Sequence, residues 1–214
     1  MVVDAGLHPT SPSVYADGGV VGINPSPLAG TYAWVHVVDG QRVRSDYGYV
    51  VPEFVAALCD GTESGVKPGV VSNNFTELIA LVYALEALPD GWSGVAYSDS
   101  GITLGRVRSV FDVVRGRAEM THQFNGIPGG LRARVFALVK RLGELLFVGL
   151  AGHPTNEELM RGYKTKRHKR TGQLYHVPVS VHNRRCDAMC HSAADRYLVD
   201  TRLRQEQKEV APTV

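Results

Sequence analysis

Apolar positions change their period several times along this chain, and each change marks an element. From Ser13 to Val21 β-branched residues dominate, which reads as a strand broken by Gly18-Gly19. Asn24-Pro25-Ser26-Pro27 is a turn. Thr31 to Val38 alternates as a second strand, Asp39-Gly40 is a two-residue hairpin signal, and Gln41 to Val51 returns as a third. The chain therefore opens as an antiparallel meander. Residues 52–71 break the pattern, with a short apolar piece (Phe54, Val55, Leu58) ahead of a Gly/Pro loop.

From Asn74 to Leu88 the period becomes helical, with Leu78, Leu81, Val82, Leu85 and Leu88 on one face and Pro89-Asp90-Gly91 as the stop. Gly94 to Ser98 is a short buried-type strand, Ile102 to Val114 reads as helix, and Gly126 to Gly130 is a turn. Leu131, Val135, Leu138, Val139 and Leu142 mark another amphipathic helix, and Leu145 to Leu150 is an apolar strand. Pro154 to Val181 is polar and basic, with no clear period. Asn183 to Val199 is helical, and the segment after Arg204 is polar and expected to fray. The order β-β-β-α-β-α-α-β-α describes an α/β protein with a mixed sheet, three antiparallel strands and then parallel ones, flanked by helices. No repeat or linker divides it. A single domain is expected over residues 13–200, with insertions near 52–71 and 155–181, a disordered lead-in at 1–12 and a polar tail at 201–214.

Composition narrows this little. The 214 residues hold 44% hydrophobic and 21% charged side chains, as in a soluble globular protein, and the net charge of +2 makes no case for nucleic acid. Charge placement says more. Lys164, Lys166, Arg167, Lys169 and Arg170 form one basic block, and Arg106, Arg108, Arg115 and Arg117 a looser one. Either is a solvated loop or a surface for a phosphate backbone. No window approaches the ~20 apolar residues of a membrane helix, and the N-terminus lacks a signal pattern. Three cysteines do not make a disulfide framework, so a reducing cytoplasm is the expected compartment.

Four acids stand where chemistry could be done, each with a plain alternative. Asp17 lies in an apolar strand, as a metal ligand or as a strand-end residue before a glycine turn. Glu77 has capping-box spacing from Asn74, Asp99 could cap the helix that follows it, and Asp187 lies where a helix dipole favours any acid. The combination is more telling. Acids on strand one, the first helix, the end of strand four and the last helix can converge at one sheet edge. Clustered carboxylates repel unless a hard cation neutralises them, and Mg²⁺ prefers such oxygen ligands. His182, Cys186, Cys190 and His191 could form part of a zinc site, or the cysteines could be small core residues beside Met189 and Ala193.

Taken together, Tyr15-Ala16-Asp17-Gly18-Gly19, Asn73-Asn74-Phe75-Thr76-Glu77, Ser98-Asp99-Ser100 and Asn183-Arg184-Arg185-Cys186-Asp187 resemble the motifs of the ribonuclease H family, in the same order. The insertion pattern points to a bacterial-type member of phage or actinobacterial origin. The resemblance implies a ribonuclease H-like fold of five strands, two Mg²⁺ ions (Mn²⁺ substituting), and hydrolysis of the RNA strand of an RNA–DNA hybrid to 5′-phosphate and 3′-hydroxyl ends. It implies Asp17, Glu77, Asp99 and Asp187 as metal ligands and, at Gly152-His153-Pro154, a mobile histidine that aids turnover, with His182 as its competitor. Substrate contacts would come from Gly18, Gly19, Asn73, Asn74 and Ser100, with Ser72 near a DNA-strand phosphate.

Several features depart from the family pattern. Gly101 replaces a substrate-contacting glutamine, and Arg115, Arg117 and His122 are a thin version of a basic handle. Lys164, Lys166 and Arg167 in the long insertion are expected to grip the hybrid instead. A monomer is expected. The rivals are a junction resolvase or other nuclease of this fold, and a hybrid-binding module without catalysis.

Overall fold

The protein is described here from a computed structural model covering residues 11–59, 67, 69–119 and 126–210, with side chains as far as Gln207. The lead-in before Ser11, much of the 52–71 insertion and His122 lie outside the described residues.

Three strands open the chain: β1 (Ser13–Val20), β2 (Gly30–Val38) and β3 (Gln41–Val50). They form the expected antiparallel meander, with Asp39 and Gly40, both at positive φ, making the β2–β3 turn. Then come α1 (Pro52–Leu58), α2 (Asn73–Glu86), β4 (Gly94–Ser98), α3 (Gly101–Val114), α4 (Gly129–Arg141) and β5 (Leu145–Gly149). The sheet order is β3-β2-β1-β4-β5, with β4 parallel to both β1 and β5. This is the ribonuclease H-like arrangement, and it places β1 at the centre.

Strand alternation splits the sheet into two buried faces. Val14 and Ala16 join Trp34, Leu78, Leu81, Leu85, Phe111 and Leu131 in the larger core, under α1–α4. Tyr15, Ala33, Val35, Val95 and Tyr97 pack instead on Cys186 and Cys190 of α6 (Val181–Val210). Tyr15 and Tyr97 stack with ring centroids 4.7 Å apart.

The structure differs from the sequence reading in three places. The apolar piece at Phe54 and Val55 is a short helix, α1, started by Pro52 at its first turn. The unreadable basic insertion is ordered as α5 (Asn156–Arg161) and a separate two-stranded ribbon, β6 (Tyr163–Arg167) with β7 (Leu174–Pro178). The sequence reading passed over the signal at its start: Thr155 and Glu158 form a reciprocal capping box, and Gly162 ends the helix at φ 81°. Finally, α6 runs on to Val210, so residues 201–210 of the expected polar tail are helix. Tyr49 donates a 2.9 Å hydrogen bond to Asp200 and meets Tyr197, which holds the middle of this long helix against β3.

Candidate active site

Asp17 lies two residues beyond the last β1–β4 pair, Tyr15 with Tyr97. Carrying the parallel register on sets Asp17 beside Asp99, and neighbouring strands run ~4.8 Å apart. Asp17, inside β1, and Asp99, just past the end of β4, thus lie side by side. Asp17 is 7% exposed and takes a 2.8 Å hydrogen bond from the Gly18 amide.

Glu77 reaches the same end from α2. A Cβ on Gly18 would run into the backbone of Thr76 and Glu77, so a glycine here lets α2 lie directly on β1. Gly19 is crowded by the Thr31 hydroxyl in the same way. Both glycines are therefore explained by close packing inside the protein.

The capping alternatives fall away. The cap of α2 is Ser72, whose Oγ accepts from the Phe75 amide at 3.4 Å. Asn74 is then inside the first turn, and Glu77 accepts a 3.2 Å hydrogen bond from the Asn73 side-chain amide. Ser100 caps α3 by accepting from the Thr103 amide at 3.3 Å, and its side chain also hydrogen-bonds to Glu77. Asp99 caps nothing.

Asp187 enters from α6, one turn after Asn183. His153 approaches it from the loop after β5, its Nδ1 3.6 Å from the Asp187 carboxylate, with 80% of the histidine side chain exposed. His153 adopts φ 47°, a strained left-handed backbone for a non-glycine residue. Beside it, a Cβ at Gly152 would strike the Asp99 carboxylate. His182 packs against the Tyr15 ring, with centroids 5.0 Å apart.

Electrostatics shows that the acids share one field. Burial pushes the Asp17 carboxyl well above the usual carboxylate range, and the charges of Asp99, Asp187 and Glu77 push it further. Burial raises Glu77 too, as does Asp99, while Ser100, Arg106 and Asn73 oppose the shift. Asp99 is raised by burial and by Asp187, against the pull of His153 and a hydrogen bond from Asn183. Asn183 and Arg106 are contributors that the sequence reading left off the site. Asn183 is 2% exposed, and the signal was its place one helical turn before Asp187, on the same face.

No three His, Cys, Asp or Glu side chains among the described residues close into a preformed metal-ligand group. The donor set nevertheless suits a hard divalent cation: it is all carboxylate oxygen, partly buried, and weakly compensated by protein cations. Zinc is a different matter. Burial raises the thiols of both Cys186 and Cys190, which keeps them protonated, and they donate to the Tyr15 and Asp17 carbonyls at 3.6 and 3.5 Å. The cysteines are core residues.

Of the expected grip residues, Lys166 and Arg167 are exposed on β6. Lys164 is placed differently: its ammonium donates to the carbonyls of Gly152 and His153 at 3.3 and 3.4 Å and pairs with Glu158 at 3.7 Å. Arg115 and Arg117 are also engaged within the protein, with the Leu142 and Gly143 carbonyls and with Glu144. No described helix is long and apolar enough to cross a membrane.

The strand order and the flanking helices are those of the ribonuclease H-like fold that the sequence resemblance implies. A scan of protein-family models gives no match, and a search of curated proteins gives none either. Solved structures do match. The N-terminal ribonuclease H domain of a Mycobacterium tuberculosis protein, solved as a fusion with maltose-binding protein, is 16% identical with a TM-score of 0.45, over 89% of this chain and 99% of that one. Ribonuclease H1 of the halophilic archaeon Halobacterium salinarum is 19% identical, also at 0.45, over 86% and 98%. Both superpositions are loose.

Proposed function

We propose that this chain is a ribonuclease H, an endonuclease that hydrolyses the RNA strand of RNA–DNA hybrids and leaves 5′-phosphate and 3′-hydroxyl ends. The observation that carries the reading is the convergence of Asp17, inside β1, and Asp99, just past the parallel strand β4, with Glu77 and Asp187 in the same field. Such a cluster raises the energy of the folded chain, and a binding module has no use for it.

Asp17, Glu77, Asp99 and Asp187 would hold two Mg²⁺ ions, or Mn²⁺ in their place. When bound, these supply an activated water and neutralise the leaving oxygen. The chain's own groups do the rest. Asn73 holds Glu77 in place, which leaves exposed Asn74 to reach the minor groove, where 2′-hydroxyls separate RNA from DNA. The Ser72 hydroxyl accepts from the helix amide, and its proton remains available for a DNA-strand phosphate. His153, exposed beside Asp187, helps water delivery or product release during turnover. Lys166 and Arg167 contact phosphates, and the protein acts as a monomer in the cytoplasm.

The test is cleavage of an end-labelled hybrid, with matched dsDNA, dsRNA and four-way-junction controls, in Mg²⁺ and in EDTA. Only the hybrid's RNA strand should be cut, only with metal, and Asp99→Asn should lower the rate by ~10³-fold or more. Hybrid binding without cutting in either metal would leave a binding module. Junction cutting would make the protein a resolvase.

A further inference from the structure

The β6–β7 ribbon has two faces with different contents. Register pairs Lys164 with Val177 and Lys166 with Tyr175, so these four share one face. Tyr163, Thr165 and His176 share the other. There Tyr163 and His176 contact each other at 4.1 Å, and Thr165 hydrogen-bonds to His176, so this face's aromatics are already partnered.

Tyr175 is not. It is 44% exposed, has no ring partner among the described residues, and borders an open groove of about 570 Å³ lined with Lys166, Arg167, His168 and Lys169. The ribbon sequence from Tyr163 to Pro178 contains no acid, and no described carboxylate pairs with Lys166, Lys169 or Arg170. At its base the same face meets the candidate active site, because Lys164 is bonded to the Gly152 and His153 carbonyls. From there the strand carries its cations and Tyr175 outward, with ~13 Å between Lys164 and His168 at 3.3 Å per residue.

Unneutralised cations around a bare aromatic ring make the combination that binds single strands, in which phosphates find charge and a base finds a stacking platform. A duplex backbone would use the charges but not the ring. We propose that this face of the ribbon binds a single-stranded nucleic-acid segment running off the hybrid, with a base stacked on Tyr175 and phosphates on Lys166 and Lys169. The ribbon would thereby favour hybrids that end in an unpaired tail. The inference rests on the hybrid-cutting reading only for the identity of the adjoining duplex.

Fluorescence anisotropy of the full chain in EDTA would compare a blunt hybrid with the same hybrid carrying a six-nucleotide single-stranded tail, and with one extended by six base pairs. The tail should tighten binding on the order of tenfold, and the duplex extension should not. Tyr175→Ala should abolish the gain and Tyr175→Phe should retain it, with melting curves confirming that both variants fold. No gain from the tail, or a gain that survives Tyr175→Ala, overturns the inference. An equal gain from the duplex extension overturns it too, by making the ribbon a backbone grip. A tailed dsDNA is scored in parallel, so failure of the hybrid reading shows up as loss of hybrid preference while the tail effect is still measured.

Discussion

Asp17 lies on the central strand beneath α6, almost wholly buried, while Lys166 stands on an outlying ribbon open to solvent. Both are charged, yet different physics holds them. The acid is placed by backbone register and by glycines that let α2 and the loop after β5 press against the strand ends. The base is placed by a capping box, a glycine stop and a short hairpin, with water on most sides. A buried like-charge cluster is costly and tolerates no movement, so it is read as chemistry. An exposed cationic ribbon costs little, and its contribution to binding should fade with salt.

The largest expected break in this contrast is Gly18→Ala. One methyl group must displace the α2 backbone, as neither Thr76 nor Glu77 offers a flexible side-chain atom at the contact. Overpacking of this kind costs ~1–3 kcal/mol. Melting temperature should fall by several degrees, and cleavage should fall with it as Glu77 shifts. A variant as stable and active as the parent would show that α2 is not wedged against β1.

Next in size is a split within the insertion itself. Lys164→Met removes the bonds to the Gly152 and His153 carbonyls, so kcat should drop by about tenfold while hybrid affinity and its salt slope stay put. Lys166→Ala with Arg167→Ala should do the reverse on a hybrid that carries a single-stranded tail: unchanged kcat, weaker binding, and a log–log salt slope shallower by about 1–2. If Lys164→Met instead flattens the salt slope, the lysine belongs with the grip and the division drawn here is misplaced.

The same contrast explains what could be read from the chain. β1, β2 and α2 were legible from the apolar positions they bury, β3 from the Asp39-Gly40 turn ahead of it, and β4 and β5 from short apolar runs. The acids were legible only as a set, since each alone has an ordinary explanation. Ser72 and Ser100 as the true caps decide against two of those explanations, and cap identity depends on backbone angles that a residue pattern leaves open by a position or two. The ribbon was illegible because both faces are polar and exposed, which leaves no alternation to see. Lys164 read as one more member of a basic run. Its bonds join it to carbonyls eleven and twelve residues away, and no local pattern carries that information. The length of α6 was missed for a related reason: its last turns are mostly polar, with no apolar face to mark them, and tertiary contacts at Tyr49 hold the helix just before them.

The smallest effect is thermal and has a definite sign. Asp17 is raised above its ordinary range by burial first and by Asp99 second. The folded chain therefore binds a proton that the unfolded chain has already released, and stability falls as pH climbs from the ordinary carboxylate value to the raised one. Above that window the full penalty applies; below it, none. Asp17→Asn removes the penalty, so in EDTA at neutral pH the variant should melt about 2–4 °C above the parent for each kcal/mol relieved. The gap should close as pH drops below the ordinary carboxylate range. Divalent metal stabilises whichever state it binds, so Mg²⁺ should raise the parent's melting point and leave the variant nearly unmoved. A variant that melts lower than the parent at neutral pH would mean that Asp17 is held by favourable contacts, and the acidic end would lose its claim to be a strained, cation-seeking site.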